Sequence, residues 1–228
     1  MKTLFVTATD TDAGKTAISA AILYGLKSQG KSCLGYKPIA AGAAEHNGVL
    51  VNDDARALAD NSSVAVSASD INPVCFAPPI APHIAAEQGN QQIDLAAIDQ
   101  HFAQLNGKHP TEFQLVEGAG GWRLPLNLAG ETLADWPARR HWPVILVVGL
   151  KLGCLNHALL TVEAISQDDC HIVGWIGNTV DPNMSVKEQN IASLHALLPA
   201  PCLGIVPHLD NPSPVHIWPH LEVGLSKI

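Results

Sequence analysis

Short apolar runs alternate along the chain with segments in which apolar residues recur at helical spacing. The runs predict buried strands, and the clearest is "PVILVVGL" at 143–150, a continuous and largely β-branched segment. The predicted strands lie at 4–6, 32–38, 113–121 (running into a glycine turn), 143–150, 171–178 and 202–208. One predicted helix follows Thr16, and another begins at about 82. The other predicted helices lie at 53–60, 94–105, 156–166 and 186–197.

Strands that alternate with helices indicate a doubly wound α/β fold with a mainly parallel sheet flanked by helices. The length of 228 residues suits one domain that spans 1–228. Ligands of such sheets bind beyond the carboxyl ends of the strands. Polar and glycine-rich segments follow most of the predicted strands, so the sequence predicts a site along that edge of the sheet.

Composition narrows the possible function classes. The formal net charge is −8 and the chain has no run of Lys or Arg, which argues against nucleic-acid binding and against an anionic membrane surface. The five cysteines form no C-x-x-C pair, which is typical of reduced thiols. The sequence shows no apolar stretch of transmembrane length and no signal-peptide pattern. We therefore expect a cytoplasmic protein.

The stretch "TATDTDAGKT" at 7–16 ends like a phosphate-binding P-loop. Gly14, Lys15 and Thr16 follow a predicted strand and open a predicted helix, as the G-K-S/T of a Walker A loop does. Backbone N–H groups at a helix N-terminus, a lysine and a hydroxyl are what phosphate and magnesium binding require there. The spacing lacks the usual first glycine, since Thr9 stands at that position. The loop predicts a P-loop NTPase-like fold.

Four further charged residues fall at the predicted sheet edge or at a helix start. Lys37 ends a strand, where a second lysine would stabilise charge on a transferred phosphoryl group. Glu117 follows an apolar strand, where a carboxylate suits magnesium. Asp53 and Asp54 open a helix, and one of them could also bind magnesium, although acidic residues are common at helix N-termini.

Other chemistries find little support in the sequence. His216 and His220 are four residues apart, but Trp218 and Pro219 lie between them and a helix across that proline is unfavourable. The chain has no H-E-x-x-H motif and no His/Cys cluster with zinc spacing. It also lacks the G-x-S-x-G elbow of serine hydrolases.

Five ordered segments together resemble the dethiobiotin synthetase family. They are "TATDTDAGKT", "GYKPIAAG", "NPVCFAPPIAPHIAAE", "LVEGAGGWRLPL" and "PVILVVGLKLGCLNHALLT". The resemblance extends to about Pro207. It implies a magnesium-dependent ligase that forms dethiobiotin, ADP and phosphate from 7,8-diaminononanoate, CO2 (or bicarbonate) and ATP. The route implied runs through a carbamate and a carbamic–phosphoric anhydride, on a homodimer whose sites lie at the subunit interface.

The resemblance also implies roles for individual residues. Lys37, Lys15 and Thr11 would act in catalysis, and Thr16, Asp54 and Glu117 would bind Mg²⁺. The residues implied to bind ATP with its magnesium are Asp12, Ala13, Gly14, Lys15, Thr16, Ala17, Asp54, Glu117, Gly118, Ala119, Gly120, Asn178, Thr179, Pro207, His208 and Leu209. The residues implied to bind substrate are Thr11, Lys37, Ala41, Gly118, Gly121, Gly153, Cys154, Leu155 and Asn156, the last four receiving the substrate carboxylate from the neighbouring subunit.

Two positions depart from the family pattern. The family loop has the form T-G-T-D-T-x-x-G-K-T, so Ala8 stands where the first glycine would be. Ala41 stands where the family has serine, which removes one hydroxyl contact. If the loop needs a positive φ at position 8, alanine would weaken the site.

Two alternatives remain open on the sequence. One is a nucleotide-switch ATPase related to the partition and septum-placement proteins, although the extra early lysine of their loop is missing at 9–11. The other is a paralogue that binds ATP or the diamine without turnover, because of Ala8 and Ala41.

Overall fold

The computed structural model describes residues 1–225. Its strands are β1 (Lys2–Ala8), β2 (Cys33–Tyr36), β3 (Ile39–Ala41), β4 (Ala44–His46), β5 (Val49–Val51), β6 (Val74–Phe76), β7 (Phe113–Glu117), β8 (Val144–Gly149), β9 (Ile172–Asn178) and β10 (Cys202–Val206). Its helices are α1 (Lys15–Ser28), α2 (Asp53–Asn61), α3 (Ala68–Ile71), α4 (Pro82–Gln88), α5 (Leu95–Lys108), α6 (Asp135–Arg139), α7 (Cys154–Gln167), α8 (Lys187–Leu197), α9 (Pro214–Ile217) and α10 (Glu222–Leu225).

Six strands form one parallel sheet in the order β10-β9-β8-β1-β7-β2. β1 lies between β8 and β7, and every residue of β8 is buried. Such complete burial is why this strand reads as a continuous apolar run rather than an alternating one. Helix α1 packs on β1, β2 and β7, while α7 packs on β8 and β9. The predicted doubly wound parallel fold is confirmed.

Most predicted elements are confirmed, and the differences have local causes. The predicted strand at 32–38 is wrong at its end, because β2 stops at Tyr36 and the Lys37 N–H donates instead to Ile71 O at 2.9 Å. Pro38, which has no N–H, follows, and the chain then enters β3, which pairs with β6 in a separate two-stranded sheet. The β4–β5 hairpin was not predicted.

The segment after Asp210 also belongs to the core, although it lies outside the resemblance. A 3₁₀ turn at Trp218–His220 links α9 to α10 and buries Trp218 against α1. A Cβ at Gly25 of α1 would overlap the Trp218 ring, so glycine at this position permits the contact. None of the helices within residues 1–225 combines the length and apolarity needed to span a bilayer.

An aromatic cluster fixes the end of β2. Tyr36 packs on Phe102 of α5 at 4.9 Å between ring centroids, and Phe102 packs on Trp136 of α6 at 5.4 Å. Asp99 of α5 closes this contact, since its carboxylate accepts hydrogen bonds from Trp136 Nε1 at 2.7 Å and Arg140 Nε at 2.9 Å. Because Tyr36 directly precedes Lys37, the cluster anchors the backbone at Lys37.

Asp99→Asn should destabilise the protein by about 1 kcal/mol near neutral pH, because it removes the charge that Arg140 and Trp136 hydrogen-bond. Burial alone would raise the pKa of Asp99, but Arg140 and Trp136 outweigh it and hold that pKa below 3.8. A carboxylate whose pKa is lower in the folded than in the unfolded state stabilises the fold at pH values above its unfolded pKa. This stabilisation is lost as the pH falls through the folded pKa. Urea unfolding should therefore show a difference from wild type that is constant above about pH 5 and shrinks as the pH falls below about 4.

The matched control is Asp60→Asn on α2, which removes the same charge from an exposed residue with no recorded hydrogen bond or ion pair in the described chain. Its stability should match wild type at every pH. A pH-independent cost of Asp99→Asn would contradict the role given to the charge.

Candidate functional site

The six parallel strands place their carboxyl ends on one edge of the sheet. Because β1 is central, the loop that follows it lies between two groups of strands. On one side of β1, Lys37 directly follows β2 and Glu117 ends β7. On the other side, Asn178 ends β9 and Pro207 directly follows β10. The predicted gathering of polar residues at this edge is confirmed by the sheet order.

The loop at 9–14 connects β1 to α1 through two residues with positive φ. These are Asp12, with φ of 60°, and Gly14, with φ of 88°. Helix α1 begins directly after Gly14, and no side chain caps its N-terminus. A helix N-terminus that lacks a side-chain cap keeps its first N–H groups for an anion such as phosphate. Asn178 Nδ2 donates to Ala13 O at 3.0 Å and so ties the loop to the end of β9.

Ala8 does not strain the loop. It is the last residue of β1, is fully buried and pairs with Val147 of β8. Within residues 1–225, Ala8 is not among the residues with positive φ. The backbone at position 8 therefore does not require glycine, and the departure from the family pattern leaves the turn at 12–14 undisturbed.

A buried cluster of charges lies beside this loop. The Lys37 ammonium donates to Glu117 Oε1 at 2.6 Å and to Asp54 Oδ2 at 2.8 Å. Thr16 Oγ1 donates to the same Glu117 oxygen at 2.8 Å. The side chains of Lys37 and Glu117 are 3% and 0% exposed, whereas that of Asp54 is 42% exposed. The predicted lysine and both predicted carboxylates are thus in direct contact.

Burial and the neighbouring charges shift the pKa values of Lys37, Asp54 and Lys15. Burial alone would lower the pKa of Lys37, but Glu117 and Asp54 outweigh it and raise that pKa. Burial alone would raise the pKa of Asp54, but Lys37 outweighs it and lowers that pKa. Burial and the neighbouring Lys37 charge lower the pKa of Lys15. Lys15 therefore gains most from an anionic partner, because it is a buried cation with no recorded ion pair in the described chain.

Two asparagines that the sequence reasoning missed position the cluster. Asn72 Nδ2 donates to Lys37 O at 2.7 Å, although the two residues are far apart in sequence. Asn52 caps α2 by accepting from Asp54 N at 3.0 Å, and its amide donates to Ala41 O at 3.2 Å. An Asn immediately before a predicted helix is an N-cap signal that could have been used. No local signal marks Asn72.

Loop and cluster line one cavity of about 920 Å³. This volume suits a small-molecule ligand. The predicted site residues among its lining are Thr11, Asp12, Gly14, Lys15, Thr16, Lys37, Ala41, Asp54, Ala119 and Gly120. Asp53, one of the two aspartates considered for magnesium, also lines the cavity. The lining residues that were not predicted as site residues are Ala40, Gly42, Asn52, Pro79, Ile80, Ala81, Pro82 and Leu124. The motif around "APPIAP" carried no predicted role, yet it forms one wall.

The structure distinguishes the two adjacent aspartates at the start of α2. Asp53 has a 91% exposed side chain and pairs with Arg56 at 3.0 Å, so its charge is largely solvated. Asp54 contacts Lys37 instead. Of the two carboxylates, Asp54 is therefore the one that belongs to the charge cluster.

The oxygen atoms of the cluster are suited to a magnesium ion. Thr16, Asp54 and Glu117 offer a hydroxyl and two carboxylates, which are the hard ligands that Mg²⁺ prefers. Glu117 Oε2 is buried without a hydrogen-bond partner in the structure, so it retains an acceptor for a further ligand. Within residues 1–225, no three His, Cys, Asp or Glu side chains cluster, so the remaining ligands would come from water and phosphate.

Comparison with known proteins identifies the family. A family model described as an AAA domain matches residues 2–215. The ATP-dependent dethiobiotin synthetase of Cellvibrio japonicus is 46% identical over 97% of this chain and 96% of its own length. That of Pseudomonas aeruginosa (strain LESB58) is 44% identical over 98% and 97%. The chain belongs to the dethiobiotin synthetase family. A member from Aeromonas salmonicida is 42% identical over 98% of each chain.

Solved structures support the fold of this dethiobiotin synthetase family member. The MinC:MinD cell division protein complex of Aquifex aeolicus matches with a TM-score of 0.63 at 15% identity, over 100% of this chain and 95% of that chain. Septum site-determining MinD of Pyrococcus horikoshii, solved with Mg-ADP, matches with a TM-score of 0.56 at 16% identity, over 90% and 81%. Similarity at this identity concerns the P-loop NTPase fold alone.

The remaining residues implied by the family resemblance lie outside the cavity lining. Glu117 and Gly118 contact the lining residue Lys37 instead, and Gly118 O accepts from its ammonium at 3.3 Å. Thr179 N bonds Val206 O at 2.9 Å and so joins the ends of β9 and β10. The α7 start has Gly153 with φ of 94°, and the exposed residues there include Asn156. The others outside the lining are Ala13, Ala17, Gly121, Cys154, Leu155, Asn178, Pro207, His208 and Leu209.

Gly14→Ala should weaken ATP binding by about tenfold or more, which corresponds to ~1.4 kcal/mol. The residue has φ of 88°, and a Cβ there would overlap the Asn178 amide nitrogen that holds the loop. Isothermal titration with a non-hydrolysable ATP analogue would measure the affinity.

Gly130→Ala is the matched control. It has φ of 99°, a Cβ at this position would meet only open space, and the residue lies outside the cavity lining. It should carry the same backbone strain and leave ATP affinity unchanged. If wild type and Gly14→Ala bound ATP with equal affinity, the assignment of this loop to nucleotide binding would be wrong.

Proposed function

We propose that this protein catalyses the ATP-dependent closure of 7,8-diaminononanoate and CO2 to dethiobiotin, releasing ADP and phosphate. The observation that carries the proposal is the buried Lys37 between Asp54 and Glu117, on the wall of a cavity that the phosphate loop also lines. Membership of the dethiobiotin synthetase family supports it. We also propose that one P-loop domain spans the whole chain.

The reaction requires little covalent chemistry from the protein. One substrate amine attacks CO2 and loses a proton, which gives a carbamate. A carbamate oxygen then attacks the γ-phosphorus and displaces ADP, and the second amine attacks the carbamate carbon and expels phosphate. Both nucleophiles belong to the substrate, so the protein must chiefly position the reactants and stabilise charge.

In this proposal the two lysines stabilise negative charge on different groups. Lys15 starts α1, where its ammonium and the helix N-terminus together would hold the β- and γ-phosphates. Lys37 would stabilise the carbamate and the transferring phosphoryl group. Thr11, Ala41, Gly118 and Gly121 would border the carbamate and phosphate.

Thr16, Asp54 and Glu117 would hold Mg²⁺, which supplies charge neutralisation at the phosphates when bound. The free acceptor Glu117 Oε2 supports this assignment. Asp12, Ala13, Ala17, Ala119 and Gly120 would complete the ATP site around the loop.

The two ends of the sheet edge would bind the two ends of ATP. Since β1 lies between β8 and β7, the phosphates at the P-loop would have β9 and β10 on the side away from Lys37. Asn178, Thr179, Pro207, His208 and Leu209 would border the adenine there. All five cysteines are free thiols, which supports a reducing cytoplasmic location.

We further propose a homodimer in which the start of α7 completes the neighbouring site. Gly153, Cys154, Leu155 and Asn156 would receive the substrate carboxylate across the interface, as a helix N-terminus favours anions. Leu152, Leu159 and Leu160 are 91%, 40% and 56% exposed, so this end of α7 presents an apolar surface.

The homodimer predicts a molecular mass near twice the 24.1 kDa of one chain in sedimentation equilibrium. Leu152→Lys should shift the protein toward the monomer, since it places a charge on the apolar surface. Gln104→Lys, which adds the same charge at an exposed position of α5, should keep the mass of the dimer. A wild-type mass of one chain would exclude the dimer.

The direct test is ATP consumption that depends on 7,8-diaminononanoate and bicarbonate, with dethiobiotin identified by mass spectrometry. Lys37→Ala should lower turnover by about 10²-fold or more, as loss of a charge-stabilising donor does. Lys187→Ala, which removes an α8 lysine with only a 3.9 Å ion pair, should retain wild-type turnover. Circular dichroism would check that Lys37→Ala is folded.

Other outcomes of this assay would point to the alternatives. Phosphate release without the diamine would indicate a switch ATPase. ATP binding without any phosphate release would indicate a non-catalytic paralogue. Wild-type turnover in Lys37→Ala would remove that residue from the chemistry.

A further inference from the structure

The Lys37 ammonium bridges both carboxylates that the proposed magnesium site would use. We propose that Lys37 is an internal counter-cation that excludes divalent metal ions from the site until a nucleotide arrives, so that metal and nucleotide bind together. The inference rests on the proposed function, because it takes Thr16, Asp54 and Glu117 as the metal ligands.

The contacts of Glu117 are the first support. Its Oε1 atom accepts from both Lys37 Nζ at 2.6 Å and Thr16 Oγ1 at 2.8 Å. The Asp54 oxygen at 2.8 Å from Lys37 is likewise engaged. Glu117 Oε2 has no hydrogen-bond partner, but a metal ion that used the engaged oxygens of the two carboxylates would have to displace the ammonium. The displaced cation would then lack the partners that make its burial tolerable, because its side chain is only 3% exposed.

The charge balance of the site gives the second support. Lys15 and Lys37 contribute two positive charges, and Asp54 and Glu117 contribute two negative charges, so these four side chains balance one another, with Asp12 also in the cavity lining. A lone divalent cation would add two positive charges to this group with no new anion. Interactions between charges are strong at such a partly desolvated position, so this imbalance is unfavourable.

A nucleotide changes the balance, because it brings acceptors for the displaced ammonium. Lys37 and Lys15 both line the cavity, so phosphate oxygens there would be within their reach. A lysine can move between partners, since its ammonium lies on a flexible four-carbon chain. Each ligand would then favour the other, and this coupling is reciprocal by thermodynamic necessity.

A comparison of Lys37 with Lys15 separates the effect of positive charge on metal binding from the effect of direct contact with the carboxylates. Both lysines are buried cations beside the same carboxylates. Only Lys37 has recorded hydrogen bonds to the carboxylates within residues 1–225. If direct occupancy excludes the metal, removing Lys37 should matter far more than removing Lys15.

The experiment titrates Mn²⁺, as a spectroscopic probe for Mg²⁺, into the full chain without nucleotide and detects free Mn²⁺ by electron paramagnetic resonance. Lys37→Met should bind one equivalent about a hundredfold more tightly than wild type, because one opposing unit charge is gone. Lys15→Met, which changes the net charge equally, should show a much smaller gain. Adding Glu117→Gln to Lys37→Met should abolish the gain.

A second readout uses the wild-type protein itself. Relative to a protein-free ADP control, which accounts for Mn²⁺ bound by the nucleotide itself, ADP should tighten Mn²⁺ binding by a larger factor in wild type than in Lys37→Met, because the variant has no ammonium to displace. Lys37→Gln provides the same comparison if Lys37→Met does not fold, since its amide can still donate to Glu117. Circular dichroism and thermal unfolding would establish that each variant is folded.

Two results would overturn the inference. The first is that wild type and both Lys37 variants bind Mn²⁺ with equal affinity in the absence of nucleotide. The second is that Lys15→Met increases the Mn²⁺ affinity as much as Lys37→Met does. If wild type still forms dethiobiotin from the diamine, bicarbonate and ATP, only the inference fails. If wild type binds no Mn²⁺ even with ADP and forms no product, the proposed function fails together with it.

Discussion

The buried ion pair between Lys37 and Glu117 is the constraint on which the arrangement of the site depends. Neither side chain is more than 3% exposed, so each would be strongly unfavourable alone. Their contact at 2.6 Å makes burial of both charges tolerable, and Thr16 and Asp54 add further hydrogen bonds, while Glu117 Oε2 keeps no partner. Such a pair requires close positioning, because a small displacement would leave an uncompensated charge in the interior.

The surrounding fold supplies that positioning from several distant parts of the chain. Tyr36, anchored in the aromatic cluster, fixes the backbone before Lys37, and Asn72 holds its carbonyl. The β7 strand lies between β1 and β2, so Glu117 is placed between the phosphate loop and Lys37. Asn52 sets the start of α2 and with it Asp54. The charge cluster is therefore a consequence of sheet order and of three helix or strand ends meeting at one edge.

Much of the fold could be predicted from the sequence, because its signals are local. Continuous apolar runs such as 143–150 occur where a strand is buried on both faces, and the P-loop pattern at 14–16 requires a strand before it and a helix after it. Asp94 stands at the start of the helix predicted at 94–105, and its carboxylate caps α5 by accepting from Ala96 N. The β3–β6 pairing and the C-terminal packing of Trp218 on α1 were not predictable, since both depend on partners distant in sequence.

The site divides in the same way. The sequence by itself determined which charged residues lie at the carboxyl ends of strands, since that follows from hydrophobic periodicity, and the family motifs implied their roles. Only the tertiary structure decided that Asp54 rather than Asp53 contacts Lys37, that Ala8 leaves the loop unstrained, and that Asn72 supports Lys37. The reason is physical: periodicity reports which face of an element is buried, whereas a buried charge finds its partner through the packing of whole elements against one another.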